Sequence, residues 1–379
     1  MRASVHRFTM RDPGDVSELA AAINAGQLRP EQIVAVLGKT EGNGLVNDFT
    51  RGYLTQSLKL LLADKLATSM EAIAAKVIFV FSGGTEGVLT PHYVVFSVDP
   101  AVHPVEHAAG QPGGSPTGGK KTLAVGTAFT PVLAPEDIGR MAHVNSIADA
   151  VRAAMAQARI TDPADVHFVQ VKGPCVTTER AAEAKARGAQ LVTADPNKSM
   201  AYTRVAGAFG VAAALGELPP EKIREDAFFT HLDWYSERAS ISSGVEVAVN
   251  EVMVLGNSAA WNSDYVVAHR PMVDALDVNA IYAVLGDLGI AALGDNTAPG
   301  LSRIAAAMVK CEPDASGYIR GQRHTMWQDG DINAQRHIRG AVGGLVAGVL
   351  ADTRIFVSGG AEHQGPPGGG MIAVVAKTA

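Results

Sequence analysis

Three serines stand in turns of small residues, and each has a lysine and then an arginine upstream of it. The first set is Lys39 at the end of IVAVLGK, then Arg51, then Ser82 with Gly83, Gly84 and Glu86 in SGGTE. The second is Lys172 at the end of VHFVQVK, then Arg204, then Ser242 with Ser243, Gly244 and Glu246 in SISSGVE. The third is Lys310 at the end of IAAAMVK, then Arg336, then Ser358 with Gly359, Gly360 and Glu362 in SGGAE. A serine hydroxyl attacks a carbonyl well only when a base removes its proton, and lysine is that base only when neutral. Burial and neighbouring cations both favour the neutral amine. The backbone N–H after a serine in a small-residue turn is well placed to receive an oxyanion, and arginine forks suit planar carbonyl or enolate oxygens. Three such sets around one point specify a small, planar, electron-rich ring with acceptors on three sides. A cyclic triimide or a pyrimidinetrione meets that description, and attack on one of its carbonyls would open it.

Singly, each feature is ordinary: a lysine at a strand end usually snorkels to solvent, and SGG is usually just a turn. Three copies in one order indicate an internal repeat. The surrounding pattern agrees. Each copy opens on a short strand (ASVHRF, TLAVGTAF, YVVAHRP) and passes into a helix with apolar residues three and four apart (SELAAAINAG, SIADAVRAAMAQAR, VNAIYAVLGDLG). A further strand follows each serine turn. The expected module is strand–helix–strand–helix–strand–strand, with units at 1–103, 122–259 and 264–379 and a Gly/Pro-rich linker at 104–121. The fold class expected is α/β, the three units closing around a pseudo-threefold axis into a central β-barrel with helices outside. The middle copy is the longest and carries Ser243 where its siblings carry glycine.

Composition narrows the function. With 379 residues, 47% of them hydrophobic, the chain can bury a large core. A net charge of −6 argues against a nucleic-acid partner. The first residues lack the apolar core of a signal peptide, and the longest apolar runs are short and glycine-interrupted, so no membrane span and a cytoplasmic location are expected. Cys175 and Cys311 show no CxxC spacing and read as small buried hydrophobes. Glu41, Asp48, Glu86, Glu246 and Asp331 read as ion-pair partners of basic side chains rather than acid–base catalysts. Trp234, Trp261 and Trp327 read as core or interface residues, and His324 and His337 as structural.

Two other combinations of residues suggest different chemistry. Ser358, His363 and Glu362 contain the residue types of a hydrolytic triad, but they are too close in sequence to adopt its geometry easily, and no GxSxG elbow is present. A phosphate-binding module using GKTEGNG and SGGTEG lacks the required upstream glycine, because Ile33 stands where GxxxxGK[ST] needs it.

The stretch GKTEGNGLVNDFTR, the SGGTEGV turn, QVKGP, RHTMWQDGDIN and the terminal SGGAEHQGPPGGG together resemble the cyanuric acid hydrolase and barbiturase family. The resemblance runs over essentially the whole chain apart from the linker. It implies three homologous units, a homotetramer, and a ring held by one arginine and one serine turn from each unit: Arg51 with Ser82–Gly83, Arg204 with Ser242–Ser243, and Arg336 with Ser358–Gly359. It assigns the nucleophile to Ser242 and the base to Lys172, with Lys39 and Lys310 in support. The glycine-rich third turn resembles the cyanurate-type version more than the barbiturase type. The product implied is carboxybiuret, which loses carbon dioxide to give biuret. No organic cofactor is implied. A structural Mg²⁺ or Ca²⁺ is, with Glu312, Ala361, Gln364, Gly365, Pro366 and Gly369 as the matching positions.

Overall fold

The computed structural model describes residues 1–100, 120–291 and 297–379. The linker expected at 104–121 therefore lies outside the described residues, apart from its last two positions.

The first stretch runs β1 (Arg2–Thr9), α1 (Ser17–Asn24), β2 (Ile33–Thr40), α2 (Phe49–Leu66), α3 (Met70–Ala74), β3 (Ile78–Gly83) and β4 (His92–Asp99). The second runs β5 (Thr122–Phe129), α4 (Met141–Gln157), β6 (Val166–Pro174), α5 (Thr178–Ala186), α6 (Pro196–Leu215), β7 (Ala239–Gly244) and β8 (Glu251–Ser258). The third runs β9 (Tyr265–Met272), α7 (Val278–Asp287), β10 (Ile304–Cys311), the small hairpin β11 (Tyr318–Ile319) and β12 (Gln322–Arg323), α8 (Ala334–Leu350), β13 (Phe356–Ser358) and β14 (Gly370–Lys377). The expected module is visible in each stretch, with α3, α5 and the hairpin as additions.

Each stretch builds one four-stranded sheet, ordered β1-β4-β2-β3, β5-β8-β6-β7 and β9-β14-β10-β13. The three orders correspond strand for strand. In each sheet the lysine strand pairs in parallel with the serine strand, and the register sets Lys39 opposite Ser82, Lys172 opposite Ser242 and Lys310 opposite Ser358. Each lysine strand also shifts register against its antiparallel neighbour at its start, between Ile33 and Ala35, Val166 and Phe168, and Ile304 and Ala306. An irregularity of this kind twists a strand locally and fixes where its side chains aim.

Helices cover the outer faces. In α2, Leu54, Leu58 and Leu62 recur every four residues and are fully buried against the first sheet; α7 and α8 do the same for the third. The inner faces share one core in which Leu37 and Val80, Met253 and Leu255, and Met308 and Phe356 meet from different sheets.

Among the described residues the closed barrel expected from the sequence is not formed: the strands pair only within each sheet, and the bridge of Ser236 to Gln364 between two stretches lies outside them. Side chains close those edges instead. The Phe79 N–H of edge strand β3 donates to the Glu251 carboxylate (2.8 Å), and the Ala3 N–H of β1 donates to the Ser263 hydroxyl (2.8 Å). Asn257 on β8 donates to the Val267 carbonyl of β9 (2.7 Å) and accepts its N–H (3.1 Å), imitating a strand residue. An edge satisfied by side chains no longer templates another strand.

Candidate active site

The lysines end their strands buried, so each ammonium or amine must find partners inside the protein. Lys39 Nζ donates to Ser82 Oγ (3.0 Å) and the Gly83 carbonyl (2.7 Å), and lies 5.9 Å from the centre of the Phe356 ring of the third sheet. Lys310 Nζ donates to Ser358 Oγ (3.0 Å), the Gly359 carbonyl (2.9 Å) and the Ile241 carbonyl of the second sheet (2.6 Å). Lys172 Nζ donates to the Phe81 carbonyl of the first sheet (3.2 Å) and the Ser243 carbonyl (3.4 Å). Each lysine thus touches a neighbouring sheet beside that sheet's serine turn, which draws the three turns together.

Lys172 differs from its siblings. Its closest partner is Glu246 Oε1 at 2.6 Å, and Ser242 Oγ and Ser243 Oγ, both buried, have no hydrogen-bond partner among the described residues. The expected Lys172–Ser242 contact is therefore not made, although register sets the two residues side by side.

Three helices deliver the arginines, each started by a side-chain cap: Asp48 for α2, Asp195 for α6 and Asn333 for α8. Each arginine is then held by the glutamate of another sheet's serine turn. Arg51 Nε donates to Glu246 (2.9 Å), Arg204 donates through Nε and Nη2 to Glu362 (2.8 and 2.6 Å), and Arg339 donates through Nε and Nη2 to Glu86 (2.9 and 2.7 Å). The third arginine at the site is Arg339, not Arg336. The Arg339 side chain is 6% exposed, whereas that of Arg336 is 46% exposed and reaches Glu86 from outside at 3.3 Å. The two stand one helical turn apart on α8, and only Arg339 lies on its buried side.

Arg51, Ser82, Gly83, Lys172, Arg204, Ser242, Ser243, Arg339, Ser358 and Gly359 line one narrow cavity. Gly44, Phe81, Met200 and Ile241 complete its wall. Two glycines here are required by space. A Cβ on Gly83 would stand 1.6 Å from the Asp48 carboxylate, and one on Gly360, whose φ is +68°, would stand 2.5 Å from Arg204 Nε.

Burial, followed by the Arg204 charge, lowers the Lys310 amine to about 7. Burial and then Arg339 drive Lys39 well below the ordinary lysine value, and burial lowers Lys172 against the opposing pull of Glu246. Burial alone would raise Glu246, but Lys172 and Arg51 hold its carboxyl at about 2. The cavity therefore joins hydroxyls, fixed guanidinium groups and Lys172, with Lys39 and Lys310 bonded to two of its serines, a set suited to acyl transfer on a small ring.

The other sequence candidates fall elsewhere. His363 accepts the Phe229 N–H at Nε2 (3.0 Å) and pairs with the Trp234 carbonyl at Nδ1 (2.6 Å), while Glu362 is taken by Arg204, so no Ser358–His363–Glu362 triad exists. Lys39 is fully buried and bonded to Ser82, which removes it from any phosphate loop. Burial pushes the Cys175 and Cys311 thiols up, to about 11 and about 12. Asp48 lies 3.4 Å from Arg51 and His337 pairs with Asp329 (2.8 Å), both partner roles as expected. Trp261 is buried, whereas Trp327 is half exposed.

Residues 4–377 match the family described as amidohydrolase ring-opening protein. The chain is 48% identical over 378 residues to a cyanuric acid amidohydrolase of Ectopseudomonas oleovorans strain CECT 5344, with both chains covered in full. It is 44% identical over 377 residues to a cyclic amide hydrolase of Azorhizobium caulinodans, again with full coverage of both. A solved cyanuric acid hydrolase superposes with a TM-score of 0.91 at 41% identity, and another from A. caulinodans with 0.88 at 45%; each comparison covers 100% of this chain and 99% of the other. Hydrolysis is the chemistry these names share, and the chain belongs to the ring-opening amidohydrolase family.

Proposed function

We propose that the protein opens the ring of cyanuric acid by hydrolysis, giving carboxybiuret, which loses carbon dioxide to yield biuret. The observation that carries this reading is one cavity into which each of the three stretches sends one helical arginine and one serine turn. A planar ring with three carbonyls fills such a site with an acceptor toward each arginine, and the N–H groups of Gly83, Ser243 and Gly359 lie next in the chain to the three serines. On this reading Ser242 attacks one ring carbonyl while Lys172 takes its proton. Backbone N–H groups steady the oxyanion, and the proton passes to the departing ring nitrogen as the C–N bond breaks. Water then cleaves the acyl-enzyme. Lys39 and Lys310, each bonded to its own serine, polarise the other two carbonyls through Ser82 and Ser358.

The same reading takes the chain as three homologous units, 1–103, 122–259 and 264–379, around a pseudo-threefold axis. The matching strand orders, Lys–Ser registers and strand irregularities support it. We also take the protein to be a cytoplasmic homotetramer; among the described residues no helix is long and apolar enough to cross a membrane.

A structural divalent cation, Mg²⁺ or Ca²⁺, fits near the C-terminus. Burial and then the neighbouring Glu362 push the Glu312 carboxyl up to about 8, the mark of acidic groups crowded in a dry place. Glu312 with the carbonyls of Ala361, Gln364, Gly365, Pro366 and Gly369 makes an all-oxygen donor set suited to a hard cation. The Gln364 amide is otherwise engaged, accepting the Ile241 N–H (2.6 Å) and donating to the Gly360 carbonyl (3.1 Å). The cation would brace this loop behind Ser358 and take no part in the reaction.

The test is an assay of biuret or ammonia release with cyanuric and barbituric acids side by side. Turnover of cyanuric acid is expected; turnover of barbiturate alone, or of neither, overturns the assignment. Ser242→Ala should abolish turnover, whereas Ser82→Ala and Ser358→Ala should act partly through KM. Equal residual activity in all three would remove the case for one fixed nucleophile.

A further inference from the structure

The three glutamates of the serine turns do unequal work. Glu86 gives both oxygens to Arg339 and Glu362 gives both to Arg204. Glu246 instead uses one oxygen, Oε1, for both Arg51 (2.9 Å) and Lys172 (2.6 Å). The serines follow suit: Ser82 and Ser358 accept from their lysines at 3.0 Å, and Ser242 Oγ, in a buried place, has no partner among the described residues. The unit whose lysine is diverted is the one whose serine is unengaged.

We propose that Glu246 is a positioning residue that holds Lys172 off Ser242 and keeps it charged, so that the middle serine is armed only when Lys172 leaves the carboxylate as an amine. This rests on the reading of Ser242 and Lys172 as nucleophile and base. Arming is a proton loss: the Lys172 ammonium gives one proton to solvent, Glu246 stays ionised on Arg51, and the amine turns to the Ser242 hydroxyl. Several groups face Lys172. Arg51 on α2 favours the amine; Glu246 after β7 and Glu251, its register partner on β8, favour the ammonium. Cys175, just beyond β6, also lies near, with its thiol protonated. Of these only Glu246 is within ion-pair distance.

The experiment compares pH profiles of kcat/KM for the wild type, Glu246→Gln, Glu86→Gln and Glu362→Gln. Removing the anion that touches Lys172 favours its amine, so the acid limb of E246Q should move down by about 1 to 3 pH units. E86Q and E362Q should raise KM and leave the limb in place. An unmoved limb in E246Q, or equal movement in all three variants, overturns the proposal. If E246Q has no turnover, the Lys172 Nζ titration followed by ¹⁵N NMR in lysine-labelled protein gives the same answer: it should fall relative to wild type, and an unchanged titration refutes the role. Failure of the underlying reading shows separately, as turnover persisting in Ser242→Ala.

Discussion

At the scale of single residues, the site rests on three lysine–serine pairs set opposite one another on parallel neighbour strands. Lysine, arginine and serine in fixed order are rare enough in triplicate to suggest a shared centre, and register explains why: a lysine opposite a serine on a parallel neighbour strand brings the two side chains to the same face. Order along the chain points to Arg336, and nothing in that order brings Arg339, three residues further on, into view. The helical wheel would have separated them. Ala334, Ile338, Val342 and Val346 form the buried stripe of α8; Arg339 lies about 80° from the centre of that stripe and Arg336 about 140°. Arg339→Lys should therefore lower kcat/KM by about 100-fold, because a point charge cannot replace a fork held at two atoms. Arg336→Lys should stay within about threefold. Steady-state kinetics on the two variants decides it, and the reverse ranking would return Arg336 to the site.

At the scale of elements, the strand order of each unit was readable from hydrophobic runs and turns, but the joints between sheets were not. Three sheets sharing an inner core suggest one closed ladder from sequence, since edge strands favour pairing. Whether an edge is closed by backbone or by a side chain depends on single polar residues such as Asn257, Glu251 and Ser263, which in sequence look like any half-exposed polar position. Glu86 and Glu246 read as ion-pair partners in the sequence, Glu362 does not, and the pairing of all three across sheets needs three dimensions to see. Asn257→Leu removes two hydrogen bonds to buried Val267 and should cost about 2 to 4 kcal/mol, measured by urea unfolding. A loss below about 0.5 kcal/mol, within the range of ordinary surface substitutions, would mean the joint is held by packing alone.

At the scale of the whole molecule, the buried imidazoles set an acid limit. Burial lowers His92, His143 and His167 to about 4 and His269 to about 3. His143 shows the cause: its Nδ1 accepts the Gly139 N–H (3.2 Å), so Nε2 carries the hydrogen toward Asn250 Oδ1 (2.8 Å), which only the neutral ring satisfies. Between about pH 6.5 and 4 the unfolded chain binds protons that the folded chain refuses. Stability is then full above about 6.5 and falls as pH drops, by about 1.4 kcal/mol per pH unit for each proton. The urea midpoint should decline across that window, and His143→Gln should flatten the decline. A midpoint level from pH 7 to 4.5 would contradict this. Chelation gives a second global test: EDTA should lower the melting temperature if a cation braces the C-terminal loop, and an unchanged temperature with metal-free protein would dismiss it.

The hand-to-hand arrangement in which every guanidinium is gripped by a carboxylate from a different third of the polypeptide carries a consequence for dissection. No third, expressed alone, owns the glutamate that grips its own arginine, and any two together leave one guanidinium without that partner, Arg51 keeping only Asp48 of its own third. Ring recognition should therefore vanish altogether on cutting the chain into parts, with no fragment retaining a weakened share, and should return only when all three are present in one fold.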